Sequence, residues 1–203
     1  MKIICIGRNY REHAKELNSP VPTEPVFFLK PDTSLLTRNR PFPYPEFSKE
    51  VHYEVELVAR ICRTGKNIRE KSAHAYWDAI GIGLDFTARD IQDKCKKQGL
   101  PWLVSKGFDH SAPVSRFVPK ATFSDTRRIR FCLELNGKKV QEGDSADMIF
   151  SFEELISYVS RFITLKSGDL LFTGTPSGVG PVRTGDRLEA FLEGKKFLSC
   201  SIT

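Results

Sequence analysis

The sequence predicts one α+β domain over residues 1–203. Three observations predict it. Runs such as 51–57 and 79–86 alternate apolar with polar or small residues at period two, as strands do. Two stretches, 129–142 and 187–202, fold back across Asn136-Gly137 and Glu193-Gly194-Lys195 as hairpins. Between strands lie short helical segments announced by capping residues, Ser151 with Glu154 being the clearest pair. No repeat, low-complexity tract or linker divides the chain.

Composition narrows the class. Hydrophobic residues at 40% and charged residues at 28% are what a water-soluble packed domain carries, so a disordered chain is excluded. The five cysteines (5, 62, 95, 132 and 200) are scattered without a Cys-x-x-Cys pair. That argues against a disulfide framework or a structural zinc site and points to a reducing compartment, the cytoplasm. Met1 to Gly7 is too short an apolar run for a secretory leader, and no run approaches a membrane span. The net charge of +6 is spread along the chain. The densest basic clusters, Lys94-Lys96-Lys97 and Arg127-Arg128-Arg130, are short and lack any nucleic-acid-binding motif. The expected partners are small anionic molecules, not nucleic acid or membrane.

In chain order, residues 2–6 read as a buried strand. Gly7 to Tyr10 is the turn out of it, with Asn9 as N-cap and Glu12 completing a capping box. A helix over 10–17 stops at Asn18-Ser19-Pro20. His13 and Glu16 share a face of it. A carboxylate beside an imidazole is the arrangement of a general base, and it is also an ordinary surface charge pair. Seven prolines between 20 and 45 make an irregular region, a lid or a connector, around a strand at 26–29 and a turn at Lys30-Pro31-Asp32.

The strand over 51–61 follows. Glu54 and Glu56 lie on one face about 6.5 Å apart along it. Two such anions repel unless something positive lies between them, which suggests a divalent-cation site; the alternative is a solvated polar face. Residues 68–79 read as a helix with Ala73, Tyr76 and Trp77 inward and His74 structural or exposed. In the 79–86 strand, Ile80, Ile82, Leu84 and Phe86 take one face, and Gly81, Gly83 and Asp85 the other. Two glycines ahead of an acid let something approach the backbone closely. Thr87 and Asp90 read as a capping box for a helix ending at Gly99. Arg89, Gln92 and Lys96 form one polar stripe on it. Lys106, among apolar neighbours, is either a buried cation or a surface lysine. A connector over 111–119, a helix over 151–162 and a buried strand at 170–173 lead to the loop 174–181. That loop offers hydroxyls and open N–H groups but no Walker sequence.

Five motifs occur in one order: Gly-Arg-Asn-Tyr-x-x-His-x-x-Glu (7–16), Glu-x-Glu (54–56), Leu-Asp-x-Thr-Ala-Arg-Asp-x-Gln (84–92), Lys106, and Thr-Gly-Thr-Pro-x-Gly-Val-Gly (173–180). Together they resemble the fumarylacetoacetate hydrolase family, in its short acylpyruvate hydrolase and oxaloacetate decarboxylase branch, across essentially the whole chain. The resemblance implies a mixed, mostly β roll with flanking helices, usually a homodimer. It implies Glu54, Glu56 and Asp85 as ligands of Mg²⁺ or Mn²⁺, and His13 with Glu16 as a water-activating dyad on a segment that closes over ligand. Arg89, Gln92, Lys106 and Thr175 match positions that hold carboxylate and enolate oxygens. The implied reaction is hydrolysis of the carbon–carbon bond of acylpyruvates (2,4-dioxo acids) to pyruvate and a carboxylic acid, with oxaloacetate decarboxylation alongside. Isomerisation of a 2-oxo-enoate is the alternative. The fumarylacetoacetate hydrolase proper has an additional N-terminal domain and a fourth acidic ligand, so its aromatic-pathway substrate is not expected here.

Overall fold

A computed structural model describes all residues from Met1 to Thr203. A six-stranded sheet forms its centre, in the order Val26–Lys30, Ile3–Gly7, Leu170–Phe172, Val55–Ile61, Trp77–Leu84, Val118–Pro119. All its pairings are antiparallel except Ile3–Gly7 with Leu170–Phe172. A second sheet of four antiparallel strands is built from the two expected hairpins, Arg130–Leu135 with Lys138–Asp144 and Arg187–Leu192 with Lys195–Ser201. Asn136 and Gly137 both take positive φ, 52° and 79°, as a two-residue hairpin turn requires.

Period two sorts the central sheet into two faces. Ile4, Ile6, Leu57, Ala59, Ile80 and Ile82 belong to a core of 34 buried residues that also takes Leu133, Leu188, Ala190 and Leu198 from the four-stranded sheet. The opposite face carries a smaller cluster of 7, including Ile3, Cys5, Val58 and Phe172. Glu54 and Glu56 precede Val58 on this second face, so both carboxylates start from the small-core side of the sheet. Glu56 pairs with Gly83, and a Cβ at Gly83 would stand 2.6 Å from the Phe172 ring. The close approach that the glycines permit is therefore by an aromatic side chain.

Four local readings change. The 51–61 strand breaks at Glu54 into Val51–Tyr53 and Val55–Ile61, because the Val55 N–H leaves the ladder for Gln141 Oε1 at 2.9 Å. The 68–79 helix shrinks to Glu70–Ala73 and a 3₁₀ turn at His74–Tyr76; Trp77 is drawn into the sheet opposite Ile61 and stacks on Phe152 at 4.6 Å. Asn9 does not cap the helix Arg11–Glu16, since its amide bonds Phe150 and Thr173. Nor do Thr87 and Asp90 cap Arg89–Gln98, because Asp90 accepts from Ser48 and Lys49. The box at Ser151 and Glu154 is present and starts Phe152–Ser160. Ser151→Ala should cost about 1 kcal/mol, roughly 2–4 °C in Tm for a chain of this size, read by thermal unfolding. No helix is long and apolar enough to cross a membrane, and all five cysteines are free.

Candidate metal centre and active site

The break in the strand at Glu54 and the end of Trp77–Leu84 bring three acids together. Glu54 carbonyl accepts the Asp85 N–H at 2.8 Å, tying the two backbones at the point where both strands stop. Glu54, Glu56 and Asp85 are 5%, 1% and 1% exposed, and each offers a carboxylate oxygen within 4.8 Å of the others. Carboxylates this buried persist only with strong partners.

Those partners are distributed unevenly. Lys106, at the end of the short helix Leu103–Lys106, donates to Glu54 Oε2 and Asp85 Oδ2, both at 2.8 Å. Arg89 donates from Nη2 to Glu54 Oε1 and from Nη1 to Gln92 Oε1, both at 2.6 Å. Lys30 was legible only as part of a turn, yet it is 1% exposed. Its ammonium lies 2.8 Å from Asp85 Oδ1 and donates to the carbonyls of Phe86 and Ser111, to Ser111 Oγ, and to the carbonyl of Lys106. Burial alone would raise the Glu54 carboxyl, but Lys106 and Arg89 hold it far below the usual range. Burial would lower Lys106, but Asp85 and Glu54 raise it above an ordinary lysine. Glu56 touches no cation. It takes only the Gly174 N–H, at 2.8 Å on Oε2, so burial followed by the charges of Asp85 and Glu54 pushes its carboxyl well up.

This donor set fits a hard divalent cation. Glu56 has an oxygen with no donor, and Asp85 Oδ1 is buried without an aligned hydrogen bond despite the nearby Lys30 charge. All three candidate ligands are carboxylate oxygens, close enough together that they would hold one hard cation between them. Oxygen donors without sulfur suit Mg²⁺ or Mn²⁺.

The remaining candidates line the same cavity, whose volume is about 200 Å³. His13 is buried and its Nδ1 lies 3.0 Å from Glu16 Oε2; Glu16 Oε1 accepts the Gly178 N–H at 2.9 Å. The glycine-rich loop thus anchors the carboxylate that orients the imidazole. Thr175 Oγ1 accepts from Gln141 Nε2 at 2.9 Å, leaving the hydroxyl hydrogen free to donate. Gln141, which also holds Val55, gave no signal in the sequence: it is one glutamine on a hairpin strand. His13, Glu54, Glu56, Asp85, Arg89, Gln92, Lys106 and Thr175 all border the cavity, with Glu16 one bond behind His13.

The chain is similar to known proteins along nearly its whole length. Residues 2–203 match the family described as fumarylacetoacetate (FAA) hydrolase, C-terminal. The mitochondrial oxaloacetate tautomerase FAHD1 of Mus musculus is 47% identical over 192 residues, covering 95% of this chain and 87% of that one. The mitochondrial oxaloacetate decarboxylase of Dictyostelium discoideum is 44% identical over 194 residues, covering 95% and 89%. The crystal structure of fumarylpyruvate hydrolase from Pseudomonas aeruginosa in complex with Mn²⁺ and pyruvate superposes with a TM-score of 0.95 at 36% identity, covering 100% of this chain and 89% of that one.

Proposed function

This chain belongs to the fumarylacetoacetate hydrolase family, and within it we propose a divalent-cation-dependent enzyme of small 2-oxo acids, whose main reaction is keto–enol tautomerisation of oxaloacetate. The observation that carries this is a buried, carboxylate-oriented imidazole opening into the same small cavity as a carboxylate triad. Glu54, Glu56 and Asp85 would hold Mg²⁺ or Mn²⁺, which supplies Lewis acidity toward the 2-oxo acid end and so acidifies the adjacent C–H. Glu16 fixes His13 through Nδ1, leaving Nε2 to take that proton and return it to the other end of the enol system. Arg89, Gln92 and the Thr175 hydroxyl hold the substrate carboxylate and oxo oxygen, and the Lys106 ammonium offsets the negative charge that develops beside it.

A second reading uses the same groups. The His13–Glu16 pair is also what water activation needs, and a relative is a fumarylpyruvate hydrolase. In that case His13 takes a proton from water, hydroxide adds to the distal carbonyl of an acylpyruvate, and the carbon–carbon bond breaks to release pyruvate and a carboxylic acid. We expect a cytoplasmic homodimer; sedimentation tests the assembly and fractionation the location.

The deciding experiment follows the ultraviolet absorbance of enol oxaloacetate together with pyruvate release from oxaloacetate and acetylpyruvate, with Mg²⁺, Mn²⁺ or excess chelator. Cation-dependent loss of enol without matching pyruvate supports the tautomerase. Pyruvate from acetylpyruvate as the faster reaction selects the hydrolase. Turnover unchanged by chelator counts against both. His13→Gln should slow either reaction about 10²-fold while calorimetric Mg²⁺ binding is unchanged; wild-type turnover would remove His13 from proton transfer.

A further inference from the structure

We infer that Arg8 is the specificity residue of this site, gripping the second carboxylate of a short 2-oxo dicarboxylate. This rests on the 2-oxo acid reading above and adds which 2-oxo acids the site prefers.

The other basic groups at the metal end of the cavity each have a protein partner that fixes them there. Arg89 is held by Glu54 and Gln92, Lys106 by Glu54 and Asp85, and His13 by Glu16. Arg8 borders the same cavity and pairs with no acid; its Nε is buried and has no acceptor. A guanidinium N–H withdrawn from water without a partner is a cost that a native site carries only for a ligand or a strained role. Arg8 also holds φ at +59°, a left-handed conformation that a long L side chain avoids. The next residue fixes that twist. Asn9 donates to the carbonyls of Phe150 and Thr173 and accepts the Phe150 N–H. The chain is thus clamped immediately after Arg8, a residue of the cavity lining.

Lys96 reinforces the point. It borders the same cavity, lies 5.9 Å over the Trp102 ring and forms no ion pair. Two cations without an ion pair, Arg8 and the exposed Lys96, therefore border a cavity whose own acids are already neutralised or reserved for a metal. What completes the buried Nε of Arg8 is an anion carried by the ligand, beyond the carboxylate that Arg89, Gln92 and Thr175 address. A guanidinium fork matches a carboxylate with two parallel hydrogen bonds, and a cavity of about 200 Å³ limits the ligand to a short acid.

The test uses full-length protein loaded with Mg²⁺, with Arg8→Asn, which tolerates the left-handed backbone, and Arg8→Lys, which keeps the charge but not the fork. Binding of malate and of lactate is measured by calorimetry, and kcat/KM is measured for oxaloacetate and for acetylpyruvate. Each pair differs at the distal group. Arg8→Asn should weaken malate binding and lower kcat/KM for oxaloacetate on the order of 10²-fold, through KM, with lactate and acetylpyruvate within about threefold. Arg8→Lys should fall between the two. Parallel losses on both members of each pair, or malate bound by Arg8→Asn as by wild type, overturn the assignment. Binding is read without turnover. Wild-type protein that prefers malate in an Arg8-dependent way yet leaves oxaloacetate unchanged would refute the tautomerase reading while upholding Arg8.

Discussion

Glu56→Gln should abolish turnover, by about 10³-fold or more, while leaving the metal-free protein as stable as wild type or more so. The two halves come from one feature. Glu56 is the member of the triad with no cation beside it, and burial, followed by the nearness of Asp85 and Glu54, raises its carboxyl. Glutamine keeps the acceptor for the Gly174 N–H and places an amide donor where a third carboxylate faced two others. Metal-free folding therefore loses a repulsion and keeps its hydrogen bond. A divalent cation reverses the ranking. It binds the folded wild type and stabilises it by mass action, whereas the variant lacks one of its three anionic ligands. Thermal unfolding with and without millimolar Mg²⁺ reads both halves. A variant destabilised by several degrees without metal, or stabilised by Mg²⁺ as much as wild type, would show that Glu56 is a structural carboxylate.

How much of this site could be read from the sequence depended on how far each side chain reaches along the chain. Glu54 with Glu56, His13 with Glu16, and Arg89 with Gln92 are short-range pairs whose spacing follows strand or helix geometry, so they were visible as pairs. Their roles were not, because the same spacing serves a solvated face. The three acids became a centre only through the register that sets Glu56 opposite Gly83 and ends two strands together. Lys30 was invisible as a site residue because its acceptors lie 55 or more positions away, on Asp85, Phe86, Lys106 and Ser111. The failed caps have the same cause. Asn9 and Asp90 stand where helix caps belong, but distant backbone groups bind their side chains instead. Trp77 likewise extends an apparent helical face, and the burial gained against Phe152 and the sheet outweighs a weak local preference. The hairpins and the Ser151 box were legible because every group they need is within a few residues.

Lys30→Met should be the most destabilising single change around the acidic triad, costing about 3–5 kcal/mol. For a chain of this length that is a fall of roughly 6–20 °C in Tm. Methionine fills the apolar part of the space, so the loss is electrostatic and not a matter of volume. The Phe86 carbonyl and the Ser111 hydroxyl oxygen lose their donor, while the Ser111 and Lys106 carbonyls are left with only the Phe86 N–H and the Ser111 hydroxyl, respectively. Asp85 keeps only Lys106 against its charge. Arginine should not rescue the variant, because its planar fork cannot radiate donors to acceptors arranged around one ammonium. Saturating Mg²⁺ should restore part of the loss, since a cation on Asp85 replaces the missing charge but reaches none of the carbonyls. The measurement is urea unfolding of Lys30→Met with and without Mg²⁺. Stability within about 1 kcal/mol of wild type, the net worth of a single ordinary hydrogen bond, would mean that water serves those acceptors and that Lys30 is not the internal counter-charge of Asp85.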